Sequence, residues 1–167
     1  LGSSDSAVNL NGGTLEATAT FSSSRTFSLA GTWTIDVDDS FALTLTGPIS
    51  GSGSLVKVDE GTLILRGNNT YNGGTTVSAG TLQGDTTSLQ GNITNNASVI
   101  FDQSSDGTYS GIMSGTGSLI KQGLRNVNFS NDSSGFTGTT TIHSGAIVVS
   151  GKLGGTCTVS VAGMLKG

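Results

Sequence analysis

Apolar and polar residues alternate over many short stretches of this chain. In residues 62–66, Leu63 and Leu65 occupy one side of an extended segment, and the residues beside them occupy the other side. Clusters of Gly, Asn, Ser and Asp separate these stretches, and β-branched residues are frequent within them. The pattern predicts many short β-strands joined by tight turns, with almost no helix.

The chain also repeats itself. Residues 47–57 recur as residues 111–121, with seven of eleven positions identical. We call the distance along the chain from residue 47 to residue 111 the repeat interval. After one inserted residue, residues 75–77 pair with residues 140–142. One repeat interval divides into three coils of about 21 residues, each with two or three strands. We therefore expect an all-β fold, a parallel β-solenoid of about eight coils.

Comparison of the two copies indicates which side of each strand is buried. Leu63 and Leu65 correspond to Val127 and Phe129, which are still apolar, whereas the alternating positions become more polar in the second copy. We expect the inner face to consist of the positions at which the copies agree in apolar character. These positions include Leu29, Val37, Leu45, Leu55, Leu63, Leu65, Val77, Leu82, Ile93, Phe101, Leu119, Val127, Phe129, Ile142 and Ile147.

Residues 51–83 resemble the passenger-associated repeat of bacterial type V autotransporters. They read Gly-Ser-Gly-Ser-Leu-Val-Lys at the start, Tyr-Asn-Gly-Gly-Thr-Thr-Val in the middle and Gly-Thr-Leu-Gln at the end. The internal repeats cover about residues 47–83 and 111–147, with partial copies at both ends. The resemblance implies a right-handed parallel β-helix that a Gram-negative bacterium exports through its outer membrane. No signal peptide is recognisable, so we expect residues 1–167 to be a single β-helix fragment of a longer passenger.

Charge and cysteine content narrow the function classes. The net charge is −4, and the seven Lys and Arg residues are scattered singly, so no basic stripe is available to follow a nucleic-acid backbone. No apolar stretch reaches the ~18 residues of a membrane span. Cys157 is the single cysteine, which rules out an internal disulfide. Because Leu29, Ile93 and Cys157 follow one another at one repeat interval each, we expect Cys157 to be buried.

The densest acidic group is formed by Asp36, Asp38 and Asp39. Asp36 and Asp38 project to the same side of a strand, an arrangement that suits either Ca²⁺ or an acid–base pair acting on a sugar. However, Asp36 corresponds to Ile100, and only Asp38, matched by Asp102, recurs in the second copy. A solvated outer face is the favoured interpretation. We predict no catalytic, cofactor-binding or metal-binding residues and no cofactor.

Four other residues carry specific expectations. His143 occupies a position that is polar in the first copy, so we expect it to be exposed, and with Cys157 it cannot complete a tetrahedral zinc site. Lys57 and Lys121 are expected at coil corners with their ammonium groups in water. Trp33 has two interpretations, either filling the wide N-terminal end of the core or lying outside as a contact for sugar or protein.

Together these observations favour a non-enzymatic passenger segment, displayed on the cell surface or secreted, that acts as a structural stalk or adhesin-type scaffold. Its expected partner is a host-surface protein or a glycan. One alternative is a polysaccharide lyase or hydrolase that uses Asp36, Asp38 and Asp39, and another is a stalk with no binding role. Open strand edges, such as those near residues 159–165, also predict end-to-end self-association through the terminal coils.

Overall fold

The chain folds as a stack of parallel strands. The computed structural model describes residues 7–159 and 163–167, and within these ranges it has 23 strands, numbered β1 to β23 along the chain, and no helix. Every strand pairing there is parallel, and each strand pairs with a strand about one turn earlier or later. The fold is therefore a β-solenoid, whose turns we call rungs. The expectation of an all-β solenoid of about eight turns is confirmed.

The longest sheet, called wall 3, takes one strand from each of eight rungs. Its central strands are rich in Leu, Ile, Val and Thr, which suit a pleated sheet with one buried face. In rung order, the strands are β3 (Phe21–Ser23), β6 (Ala42–Leu45), β9 (Thr62–Leu65), β11 (Thr81–Gly84), β13 (Ser98–Asp102), β16 (Ser118–Gln122), β19 (Thr139–Ile142) and β22 (Thr156–Val159).

Two further walls complete most of the rungs. Wall 2 precedes wall 3 in the chain and contains β2 (Gly13–Ala17), β5 (Trp33–Val37), β8 (Leu55–Val58), β10 (Thr75–Val77), β12 (Ile93–Asn95) and β15 (Met113–Ser114). Wall 1 precedes wall 2 and consists of two separate sheets. The first contains β1 (Val8–Leu10), β4 (Phe27–Leu29) and β7 (Ile49–Gly51), and the second contains β14 (Gly107–Tyr109), β17 (Val127–Phe129), β20 (Gly145–Val149) and β23 (Gly163–Lys166). A short pair, β18 (Asp132–Ser133) and β21 (Lys152–Leu153), continues the wall 2 position in the last rungs.

The rungs differ in length. The repeat interval is longer than three consecutive rungs. On wall 3 the rung from Phe21 to its register partner Leu43 is longer than the rung from Leu82 to Val99. Three register steps lead from Leu43 to Val99, whereas one repeat interval leads from Leu43 past Val99 to Gly107, which lies on wall 1. The expectation that one repeat interval makes three whole turns is therefore corrected.

The core follows the predicted inner face. All fifteen residues that the two copies indicated as inward are exposed by 1% or less. They belong to columns along the axis, such as Leu43, Leu63, Leu82 and Val99 on wall 3, where each side chain packs on its register partners in the next rungs. Burial of each such side chain contributes about 1.5–3 kcal/mol, so the stack of rungs shares one continuous core.

Trp33 fills the core near its N-terminal end. It is 1% exposed and stacks on Phe27, with 5.0 Å between the ring centroids. Next to it lies a cavity of about 150 Å³, lined also by Val8, Leu10 and Leu15. The interpretation of Trp33 as a core residue is confirmed, and the interpretation as an outer contact residue is wrong.

Wall 1 lacks strands in the two rungs between β7 and β14, and buried amide side chains connect the rungs there. Asn69 accepts a hydrogen bond from the backbone of Ile49 and donates one to the carbonyl of Ser88, both at 2.8 Å. The Gln103 amide accepts from the Thr86 backbone N–H at 2.8 Å and donates to the Thr86 hydroxyl at 3.1 Å. These side chains satisfy backbone groups that a strand would have paired.

Each copy has a buried threonine at the same position, but only the threonine of the first copy has a hydrogen-bond partner for its hydroxyl. Thr75 shares a 2.6 Å hydrogen bond with the hydroxyl of Tyr71, and burial raises the pKa of Tyr71 to about 12 although this bond opposes the shift. Thr140 is the equivalent of Thr75, and the equivalent of Tyr71 is Phe136, which has no hydroxyl. The Thr140 hydroxyl is therefore buried without a hydrogen-bond partner. Such a group costs about 1–3 kcal/mol.

Replacing these threonines by valine should have opposite effects. Thr140→Val removes an unpartnered hydroxyl and keeps the side-chain shape, so the free energy of unfolding should rise by about 1 kcal/mol. Thr75→Val is the matched control, and it should lower the free energy of unfolding by about 1–3 kcal/mol because it leaves the Tyr71 hydroxyl without a partner. Urea unfolding of both variants tests this difference. A shift of the same sign in both would contradict it.

Candidate functional site

The acidic residues converge at the corner where wall 2 passes into wall 3, but the set differs from the predicted one. Asp36, Asp38 and Asp59 each have a carboxylate oxygen within 4.8 Å of the others. Asp39 stands outside this group, and Asp59 joins it from the next rung. Sequence reasoning missed Asp59 because its approach to Asp36 depends on the length of the intervening rung. In the structure Asp36 pairs with Val58, so Asp59, the next residue, comes close to Asp36.

The local backbone explains how these carboxylates meet. Asp36 lies on the outer side of β5, and its Oδ1 atom is buried without a hydrogen-bond partner. Asp59 follows β8 in a turn with φ of +62°, a left-handed conformation that Asp tolerates better than most residues. Gly123, one repeat interval later, has φ of +73° at the equivalent turn position. Both copies therefore make the same kind of turn at this point.

Lys57 lies on the inner side of this corner and not in water. It is fully buried, and its ammonium donates hydrogen bonds to the carbonyls of Val58 at 2.5 Å and Asp59 at 2.6 Å. Burial lowers the pKa of Lys57, while the charges of Asp59, Asp36 and Glu60 oppose the shift. The expectation that Lys57 is solvated at a corner is wrong. The buried ammonium is therefore partnered by carbonyls at the end of β8 and in the turn after it.

Lys121 makes the same contacts in the second copy. It is fully buried, and its ammonium donates to the carbonyls of Gln122, of Gly123 at 2.9 Å and of Ser144 at 3.4 Å. Burial lowers the pKa of Lys121, and the charges of Asp102 and Asp106 oppose the shift. The expectation of a solvated ammonium is therefore wrong here as well. We call Lys57 and Lys121, with the turn carbonyls that each binds, the lysine corners.

The strand register corrects the pairing of the aspartates. Lys57 pairs with Ile35, and Asp36 is the next residue. Lys121 pairs with Phe101, and Asp102 is the next residue. Asp102 is therefore the structural counterpart of Asp36 and not, as the sequence suggested, of Asp38. In both copies a carboxylate on the outer side of the wall lies near a buried ammonium on the inner side. Opposite charges this close offset part of the cost of burying the lysine.

The three aspartates could bind a cation, but the structure gives another reason for the proximity of two of them. Carboxylate oxygens are the ligands that Ca²⁺ prefers, so the three aspartates have suitable donor atoms. Two of them, Asp36 and Asp59, also balance the ammonium of Lys57, which accounts for the proximity of these two without a further ligand. Asp102 has other partners: it accepts a hydrogen bond from the Gln83 amide at 3.1 Å and forms an ion pair with Arg66 at 3.7 Å.

The remaining candidate residues are dispersed. His143 is exposed, and its backbone N–H donates to the carbonyl of Lys121 at 2.9 Å. Cys157 is exposed, which corrects the expectation that it is buried. It pairs with the inward residue Thr140, but β22 is the last strand of wall 3 among the described residues, and within them no further strand of that sheet covers it. Partial burial raises the pKa of its thiol.

Comparisons with known proteins agree with the fold and the repeat. The passenger-associated-transport-repeat family matches residues 55–83 and 119–149. The adhesin BmaC autotransporter of Brucella suis biovar 1 (strain 1330) is 40% identical over 125 residues, which cover 72% of this chain and 4% of that adhesin. No solved structure matches the chain. The described residues contain no helix that is long and apolar enough to cross a membrane.

The lysine corners predict a specific pH dependence of stability. The folded chain lowers the pKa of both lysines below the ordinary value of 10.5, so between the lowered value and 10.5 the unfolded chain binds more protons. The free energy of unfolding should therefore rise with pH in that range, by at most about 1.4 kcal/mol per pH unit for each lysine. Denaturant unfolding between neutral pH and about 10, the ordinary pKa of tyrosine, measures the slope.

The control uses Cys157→Ser as background, because the thiol titrates in the same range. Lys57→Met in this background should reduce the slope, whereas Arg66→Met, which removes an exposed cation, should leave it unchanged. Stability that falls with pH in the background protein, or an unchanged slope in Lys57→Met, would show that the lysine corners do not behave as described.

Proposed function

The chain is an autotransporter passenger repeat region, and from this premise we propose that it serves as a scaffold of adhesin type, displayed on the bacterial surface or secreted. The two passenger repeats and the 40% identity to an autotransporter adhesin support this function and location. The chain spans 4% of the length of that adhesin. The proposal therefore concerns the surface that this chain itself contributes.

The outer face of wall 3 is the observation that carries the proposal. Eight hydrogen-bonded strands form one uninterrupted sheet, roughly 34 Å long at ~4.8 Å per strand. Two columns of its outer side present neutral side chains in register, most of them half-exposed, and the charged Asp102 lies beside these columns at the end of β13. One column contains Thr62, Thr81, Ser98, Ser118 and Thr139, and the next contains Thr44, Ile64, Gln83, Ile100, Ile120 and Thr141.

The two neutral columns of this wall suit contact with a host-surface protein or a glycan. Its backbone is already ordered by pairing, so binding costs little additional conformational entropy. Neutral hydroxyl and amide groups also cost less to desolvate than charged groups, and they hydrogen-bond with either partner. End-to-end self-association stays a prediction. Val159 and Leu165 are 43% and 45% exposed, which supports it, and residues 160–162 lie outside the described residues.

We propose a non-enzymatic role. The alternative, a polysaccharide lyase or hydrolase, required Asp36, Asp38 and Asp39 to act together. Asp39 lies outside the carboxylate group, and Asp36 carries charge next to the buried ammonium of Lys57. No observation in the described residues favours the alternative.

Charged substitutions on the outer face of wall 3 should abolish adhesion without unfolding the protein. Thr62→Lys combined with Ser98→Lys places two ammonium groups two rungs apart on this face. Binding of the immobilised protein to host cells and to an array of surface glycans and glycoproteins should fall at least tenfold. The melting temperature should stay close to that of the unmodified chain, because both residues point outward.

The matched control carries the same change on wall 2. Thr34→Lys combined with Thr76→Lys also places two ammonium groups two rungs apart and should retain binding. If the wall 3 variant binds as well as the unmodified chain, the chain is a stalk without a binding role. Polysaccharide cleavage by the unmodified chain that is lost in Asp38→Asn would contradict the non-enzymatic role.

A further inference from the structure

The two passenger repeats lie on different walls of the solenoid. Residues 55–83 and 119–149 match the same family, so their strands are equivalent in sequence. If one repeat interval made three whole turns, equivalent strands would lie on the same wall. Instead, each strand of the second copy lies one wall further along. The equivalent pairs are β8 on wall 2 with β16 on wall 3, β9 on wall 3 with β17 on wall 1, β10 on wall 2 with β19 on wall 3, and β11 on wall 3 with β20 on wall 1.

The same step holds outside the matched segments. Leu29, Ile93 and Cys157 follow one another at one repeat interval each and lie on walls 1, 2 and 3 in turn. Leu45 and Tyr109, also one repeat interval apart, lie on walls 3 and 1. The step is therefore a property of the whole described chain and not of one strand.

The length of a rung accounts for this step. From Leu43, one repeat interval leads past Val99, which lies three rungs on, and ends before Leu119, which lies four rungs on. The remainder beyond three full turns carries the chain from wall 3 to wall 1 of the following rung. Each copy is thus rotated by about one wall relative to the copy before it.

The local structure of the repeat is nevertheless the same on both walls. Lys57 at the end of β8 and Lys121 near the end of β16 both point inward and both bind the carbonyls of the turn that follows. The turn positions Asp59 and Gly123 both have positive φ. The shared element is thus a strand, a lysine corner and a second strand. It occupies the corner between walls 2 and 3 in the first copy and the corner between walls 3 and 1 in the second.

We infer that the passenger repeat is a wall-stepping unit. Its structural element is the corner closed by an inward lysine, and its spacing along the chain turns each successive copy one wall around the axis. The outer residues that one copy presents in one direction are therefore presented by the next copy about a third of a turn away. Thr76 faces outward from wall 2, whereas its equivalent Thr141 faces outward from wall 3. For the proposed adhesin-type role, any surface determinant carried by the repeat would be displayed in more than one direction.

Distances between paired spin labels test this inference in the full chain. With Cys157→Ser as background, cysteines at Thr76 and Thr141 label equivalent positions of the two copies. Cysteines at Thr34 and Thr94 are the control, because these residues lie three rungs apart on wall 2 and should be roughly 14 Å apart at ~4.8 Å per rung. The Thr76–Thr141 distance should exceed the control distance by about half or more, because it also crosses from one wall to the next.

A second set of labels guards against a variant that does not fold. Ile64 is labelled together with Asn128, its equivalent in the second copy, or with Ile120, which lies three rungs away on the same wall. The Ile64–Asn128 distance should be the longer of the two. Equal distances in both comparisons would mean that the copies stack on one wall, and the inference would fail. Because no partner is involved, this result is independent of whether the chain proves adhesive.

Discussion

Backbone hydrogen bonds between successive rungs are the constraint on which the rest of the structure depends. Parallel pairing holds each strand against the same wall of the next rung, so side chains alternate between an inner column and an outer column. Within a wall the ladder pairs the backbone groups. At the corners, inward polar side chains add hydrogen bonds to carbonyls of the turns and strand ends. Lys57 and Lys121 bind turn carbonyls, and the Asn95 amide donates to the carbonyl of Ser118 at 2.8 Å.

The inner face could be predicted from the sequence because two copies of one pattern were available. An apolar residue that stays apolar in both copies, as Leu63 and Val127 do, is required by the core, whereas the residue beside it is free to change. Periodicity does not depend on which wall a strand occupies. The prediction therefore succeeded even though the two copies lie on different walls. Trp33 remained open because a single large aromatic residue suits a core or a contact surface equally well.

The sequence could not predict the site to the same extent, for three physical reasons. A lysine is normally solvated, and the carbonyls that accept hydrogen bonds from the buried Lys57 ammonium are brought to it only by the fold. The approach of Asp59 to Asp36 depends on rung length, which is not constant along wall 3. Cys157 has the register of a buried residue but lies on an uncovered strand. The acidic corner is therefore best explained as charge balance for a buried ammonium, and the outer walls are the surface available for contact.

The most direct test of this account is the pattern of nuclear Overhauser contacts between backbone amides of the strand that contains Lys121. The account predicts contacts from residues 118–122 to residues 98–102 on one side and to residues 139–142 on the other, all on wall 3. Contacts from residues 118–122 to residues 93–95 would instead align Lys121 with the wall that holds Lys57. That result would contradict both the rung register and the step of one wall for every repeat interval.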